Sequence, residues 1–83
     1  MPVLNYPNPF NPVTTIEFDL PLKARWRLDI YNVLGQRVDQ LTGESDAGLV
    51  SVDWDGRLYS SGVYFYRLEA GDYQETKKMI LLR

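Results

Sequence analysis

The side chains able to make or break bonds are few, and what is missing narrows the chemistry most. The chain has neither histidine nor cysteine. That removes the usual general base near neutral pH, the imidazole and thiolate metal ligands, the thiol nucleophile and the disulfide. A carboxylate pair remains, Asp53 and Asp55, on either side of Trp54. Two carboxylates facing each other across a cleft hydrolyse glycosides, one acting as acid and the other as base or nucleophile. Here the pair sits at what reads as a strand end and points to one side, with no cleft implied. Ser60 and Ser61 are the most available hydroxyls, but they lie in a Tyr-Ser-Ser-Gly turn with no base to activate them. The residues predict no enzyme, no catalytic site and no cofactor.

Asp53-Trp54-Asp55-Gly56 also resembles the start of a calcium loop. An EF-hand needs oxygen ligands at alternate early positions and a closing glutamate. Counted from Asp53, Arg57 and Tyr64 fall where two of those ligands belong, so no metal site is expected. The preferred reading is a turn whose carboxylates accept backbone N–H bonds. Tyr31, Tyr59, Tyr66 and Tyr73 could form a sugar-stacking platform if they shared one exposed face. The weightier expectation is that most of them fill the core or cover a sheet edge.

Charge excludes another class. Nine Lys and Arg are interleaved with eleven Asp and Glu for a net −2, whereas nucleic acid needs a clustered positive field. The one basic pair, Lys77-Lys78, with Arg83 beyond it, reads either as a docking patch or as an edge strand guarded by lysine. No signal peptide is recognisable, and no apolar run approaches the ~20 residues of a membrane helix. The longest run, Met79-Ile80-Leu81-Leu82, is a strand's worth. The chain is therefore either intracellular or a piece of a precursor whose export signal lies elsewhere.

These residues must be positioned by strands. Ile16, Phe18 and Leu20 share one face of Thr14–Leu20, which Pro21 ends. Arg25–Tyr31 turns Trp26, Leu28 and Ile30 inward, and Val33–Gln36, with Gly35 free to take positive φ, leads into Arg37–Leu41. Thr42–Gly48 is polar, bracketed by glycines, and reads as a loop. Val50, Val52 and Trp54 line one face of the next strand, and Asp55-Gly56 turns the chain. Val63–Leu68 is apolar on both faces, as in a central strand covered on two sides. Ala70–Asp72 turns into a last strand, Tyr73–Leu82. No segment holds a helical period. Five to seven short strands with glycine and aspartate turns predict an all-β, immunoglobulin-like antiparallel sandwich without significant helix. At 83 residues, 45% hydrophobic and 13% aromatic, the chain can build one small domain, covering 1–83, with Trp26, Trp54 and the aromatic strand as core.

Asn5-Tyr6-Pro7-Asn8-Pro9-Phe10-Asn11-Pro12 is too proline-rich for a regular strand, yet Tyr6 and Phe10 are costly to leave in water. Each proline biases its predecessor to extended geometry, and asparagine bonds local backbone. The expectation is a stiff, ordered, non-sheet lead-in that buries Phe10 just before Thr14–Leu20. A PxxP ligand reading carries little weight, because the match is so common.

The stretches NYPNPFNP, TTIEFDLP, LDIYNVLGQRV, VDWDG, SSGVYFYRLEAG and KKMILLR, in this order and spacing, closely resemble the C-terminal sorting domain of type IX secretion cargo, type A family. VDWDG and SSGVYFYRLEAG are also similar, more weakly, to the immunoglobulin-like domain of flagellar hook-capping proteins. The resemblance spans Asn5 to Arg83. It implies a sandwich of about seven strands that ends a larger secreted precursor. In that family an outer-membrane translocon recognises the domain and carries the N-terminal cargo to the cell surface. A sortase-like peptidase then removes the domain in some cases and leaves it in others. The implied recognition residues are Asn8, Pro9, Phe10, Asn11 and Pro12, then Gly62, Val63 and Tyr64, then Lys77, Lys78, Met79, Leu81 and Arg83, the final strand being most tied to secretion. Met1 is expected to be an added start, and Leu49 stands where many relatives carry a polar residue or histidine. The runner-up functions are a glycan-binding accessory module and a structural assembly domain of hook-cap type. An uncovered last strand would also leave an edge open to dimer formation.

Overall fold

The computed structural model describes residues 3–83, so Met1 lies outside the described residues. Seven strands are β1 (Val3–Tyr6), β2 (Val13–Leu20), β3 (Ala24–Tyr31), β4 (Arg37–Ser45), β5 (Gly48–Asp55), β6 (Gly62–Ala70) and β7 (Tyr73–Leu81). They form a three-stranded sheet, β1-β2-β5, packed on a four-stranded sheet, β4-β3-β6-β7, with every strand pairing antiparallel. No helix occurs among the described residues. The all-β sandwich is as the alternation predicts.

The core is one layer of inward rows. Ile16, Phe18 and Leu20 of β2 meet Leu28 and Ile30 of β3 and Tyr64, Tyr66 and Leu68 of β6, with Val50 and Trp54 of β5 and Met79 and Leu81 of β7 closing it. Period-2 alternation puts each of these on the face turned toward the other sheet.

Three expectations are corrected. Thr42–Gly48 is not a loop: Thr42 to Ser45 continue β4, Gly48 opens β5, and only Asp46 and Ala47 connect them. The ladder persists because Gly43 pairs opposite Trp26 and leaves room for the indole, whose Nε1–H donates to Ser45 Oγ at 3.1 Å. β6 is central, as expected, but is buried on one face only. Tyr64, Tyr66, Leu68 and Ala70 point into the core, while Val63, Phe65, Arg67 and Glu69 are half-buried on the outer face. A two-layer sandwich leaves each sheet one solvated side. Finally, Asn5 and Tyr6 belong to β1 and pair with Ile16 and Thr15. The non-sheet stretch is thus the connector Pro7–Pro12 between β1 and β2, not a lead-in to the first strand.

The molecule is elongated, 36 Å on its long axis, so its two ends are separate surfaces. One end gathers the connector Pro7–Pro12, the β3–β4 turn Asn32–Gln36 and the β5–β6 connection Gly56–Ser61. The other end holds the short links Pro21–Lys23, Asp46–Ala47 and Gly71–Asp72.

Candidate functional site

The first of these ends collects segments that are distant in sequence. Phe10 is 1% exposed, as its size demanded, and forms a parallel bridge with Leu81. Its N–H donates to the Ile80 carbonyl at 2.9 Å, and its carbonyl accepts from Leu82 N–H at 2.8 Å. Asn8 extends the clasp with its side chain. Oδ1 accepts from Ile80 N–H at 3.0 Å, and Nδ2 donates to the Lys78 carbonyl at 3.3 Å. Proline at positions 7, 9 and 12 removes donors that an ordinary strand would offer, so the connector meets β7 through Phe10 and a side-chain amide. The expected fully exposed edge of the last strand is therefore corrected: the connector covers its distal half.

Beneath the clasp lies an aromatic cluster. Trp54 meets Phe10 edge-on at 5.9 Å between centroids, stacks on Tyr59 at 5.3 Å and tilts against Tyr64 at 5.9 Å. Each buried polar tip is satisfied. The indole N–H donates to Asp39 Oδ2 at 2.8 Å, the Tyr59 hydroxyl to the Val38 carbonyl at 3.0 Å, and the Tyr64 hydroxyl to the Ser60 carbonyl at 2.7 Å. Burial, then the nearby Asp39 carboxylate, pushes the Tyr59 phenol up. Asp55 Oδ1 accepts from Arg57 N–H at 2.9 Å, the turn that the sequence predicted, and Gly56 N–H donates to the Pro12 carbonyl at 2.8 Å. A Cβ on Gly56 would stand 3.0 Å from Leu81 Cδ2 and 3.3 Å from the Pro12 carbonyl oxygen, so a side chain here would crowd the place where β7 closes. Arg83 Nη1 donates to the carbonyls of Arg57 and Tyr59 and so ties the last residue to the same turn.

A polar chain runs below. The Tyr66 hydroxyl donates to Asn5 Oδ1 at 3.1 Å, Asn5 Nδ2 to Thr14 Oγ1 at 3.1 Å, and the Thr14 hydroxyl to the Pro7 carbonyl at 2.9 Å. Burial, aided by the Glu75 charge, pushes the Tyr66 phenol up to about 12.

The structure thus brings together twelve of the thirteen predicted recognition residues, and their roles differ with burial. Asn8, Pro9, Phe10, Asn11 and Pro12 form the clasp. Gly62, Val63 and Tyr64 pair with Leu81, Ile80 and Met79. Phe10, Tyr64, Met79 and Leu81 are core residues whose side chains no partner reaches without opening the fold. Asn8, Pro9, Asn11, Lys78 and Arg83 are exposed. Lys77 stands apart, opposite Tyr66 midway along β7. Sequence reasoning missed Asn5 and Thr14 and took Ile80 and Leu82 only as part of the closing motif Lys78–Arg83; their parts are played through long-range backbone and side-chain bonds that no local pattern announces. It also missed that Val33, Leu34 and Leu58 are exposed at this same end, 67%, 79% and 90% respectively, beside half-exposed Leu82.

The residues weighed for chemistry lie elsewhere or are engaged. Asp53 Oδ1 accepts from the Thr15 hydroxyl at 2.8 Å, and Asp55 pairs with Arg57 at 2.7 Å. No group of three potential metal ligands occurs among the described residues. Of the four platform tyrosines, Tyr66 is in the core, Tyr59 lies against Trp54, Tyr73 packs on the core margin and Tyr31 is on the outer face of β3. They do not share a surface.

The model of the secretion system C-terminal sorting domain family matches residues 5–82. That range takes in every segment of the junction: connector, turn, β6 and β7. No curated protein matches the chain.

Proposed function

The chain belongs to the secretion system C-terminal sorting domain family, and from that membership we propose which end of the sandwich the secretion machinery reads. As a member, it is a C-terminal sorting signal for type IX secretion, and the cargo it labels is secreted by that machinery. The match over 5–82 carries this conclusion.

The finer reading concerns what is recognised. The end of the sandwich that holds the clasp is the face presented to the outer-membrane translocon. Exposed Val33, Leu34, Leu58 and Leu82, with Lys78 and Arg83 near them, supply apolar anchors and positive charge. Such a pairing of apolar contact with charge is common at protein interfaces. The buried members, Phe10, Tyr64, Met79 and Leu81, act by holding that surface in one shape. Residues 1–83 are one sorting unit behind an N-terminal cargo domain. After transport a sortase-like peptidase handles the junction with the cargo, at the outer-membrane surface. The domain does no catalysis of its own, in keeping with the engaged state of Asp53 and Asp55.

Fusing residues 1–83 to the C-terminus of a periplasmic reporter in a type IX-competent bacterium tests the sorting role. The reporter is expected outside the outer membrane. Periplasmic retention of a folded fusion defeats the reading. Leu34→Asp with Leu58→Asp tests the recognition end, and export is expected to fall while the circular dichroism of the domain stays unchanged.

A further inference from the structure

β7 is an edge strand whose free side is used along only half its length. In an antiparallel ladder, alternate residues aim their backbone groups toward and away from the neighbouring strand. Lys78, Ile80 and Leu82 show which set faces away from β6. The Lys78 carbonyl, both Ile80 groups and Leu82 N–H bond to Asn8 and Phe10. By the same alternation Gln74 and Thr76 face outward, and among the described residues neither they nor the Lys78 N–H has a main-chain partner on that side. Gln74, Thr76 and Lys78 side chains are exposed. An unpaired edge of this kind is a template for another strand.

We propose that Gln74–Lys78 is a self-association edge, two copies of the chain joining β7 to β7 antiparallel about a two-fold axis through Thr76. The occupant is identified by charge and register. With the axis at Thr76, Thr76 faces Thr76, Gln74 faces Lys78 and Glu75 faces Lys77 of the other copy. Glu75 and Lys77 then form two opposite-charge pairs at non-hydrogen-bonded positions, where side chains come closest. Moving the axis one residue toward the start of β7 sets Glu75 against Glu75. Moving it one residue the other way sets Lys77 against Lys77, and like charges directly opposite destabilise a sheet. Sliding further toward the end of β7 runs into Ile80, whose groups Asn8 and Phe10 already hold, and sliding further toward its start runs off the strand at Tyr73 and sets Glu75 against Tyr73 rather than a cation. One register therefore satisfies both the open backbone and the charges. Lys77, which would ordinarily help guard this edge, is complemented by Glu75 of the other copy, and Lys78 meets the neutral Gln74. The clasp sets the outer limit of the pairing, and the result is a continuous sheet of two four-stranded halves.

A joint of five residues a side buries well under the roughly 1,000 Å² of a stable interface, so the association is weak and concentration-dependent. Sedimentation equilibrium of residues 1–83 is expected to show monomer at about 10 μM and a dimer near 1 mM, in line with an interface of this size. Glu75→Lys or Lys77→Glu alone is expected to weaken the dimer roughly tenfold, and the double swap to restore it to within about threefold. Thr76→Pro removes an outward N–H that β6 does not use, so the domain should still fold. Its dimer should be lost. Because Glu75 also accepts from the Tyr73 hydroxyl and Val3 N–H, far-UV circular dichroism accompanies each variant, and Lys77→Glu stands in if Glu75→Lys unfolds. A wild-type chain monomeric at 1 mM, a Thr76→Pro dimer of undiminished affinity, or a double swap without rescue would each overturn the proposal.

Discussion

The two tryptophans sit at opposite ends of the sandwich and are held by opposite means. Trp54, on β5, is 2% exposed and is surrounded by Phe10, Tyr59 and Tyr64, which reach it from two connections and from β6. Trp26, on β3, is half-buried, meets Phe18 edge-on at 5.5 Å, and lies across Gly43 with its N–H on Ser45. The first ring joins Phe10 near the start of the chain to Tyr64 of β6, and at the same end the Asn8–Ile80 bond spans an |i−j| of 72. The second is settled largely by the strand next to it. The lesson is that the Trp54 end is a closure, formed only when both ends of the domain have arrived, whereas the Trp26 end is local packing.

The largest test of that contrast is Phe10→Ala. Removing a fully buried aromatic ring leaves a cavity under Trp54 and costs about 3–5 kcal/mol. That is a large share of what a domain this small has to spend. Trp26→Ala removes a bigger side chain but one already partly in water, so its cost should be lower. Urea unfolding of both variants gives the order directly, and the contrast fails if Trp26→Ala proves the more damaging.

Alkali probes the polar underside of the same closure. The Tyr66 phenol is raised from 10.0 to about 12 by burial, with Glu75 adding to it. The folded state thus keeps its proton to higher pH than the unfolded chain does. The stability this confers is complete below about pH 10 and is lost as pH rises through about 12, amounting to at most about 2–3 kcal/mol. Tyr73 is likewise raised to about 12, first by burial and then by its hydrogen bond to Glu75. Tyr66→Phe should therefore flatten the alkaline loss of stability without abolishing it. A variant as alkali-sensitive as the parent would show that Tyr66 is not the group that titrates.

The closure and the local packing were not equally legible. Strand positions, the Asp55–Gly56 turn and the burial of Phe10 follow from alternation, turn chemistry and the cost of wet aromatics, all of which are local or compositional. The same reasoning took Thr42–Gly48 for a loop, because a glycine among polar residues carries no sign of the indole that occupies its missing side chain. It gave β6 two covered faces, because apolar residues on a solvated outer face look the same in sequence as buried ones. It also found the thirteen recognition residues only through family likeness. Nothing local says that Asn8 will bond Ile80, or that Met79 and Leu81 belong to the core while Lys78, just before them, stays wet.

The smallest effect separates the two halves of β7 from each other. Asn8→Ala removes the acceptor of Ile80 N–H and a donor to the Lys78 carbonyl, both at an exposed site. Water replaces much of what is lost, so the cost should be only about 0.5–1.5 kcal/mol. Amide hydrogen exchange gives a sharper view than stability does. In the parent, Ile80 N–H should be protected and Thr76 N–H, outward on the open half, should exchange fast. In Asn8→Ala, Ile80 should approach the rate of Thr76, while Leu82 N–H stays protected by the Phe10 carbonyl. Asn8→Asp keeps the acceptor and loses the donor, so it should leave Ile80 protected. If Ile80 exchanges at the same slow rate in all three proteins, the side-chain half of the clasp does not close the edge, and Phe10 alone divides β7 into a covered and an open half.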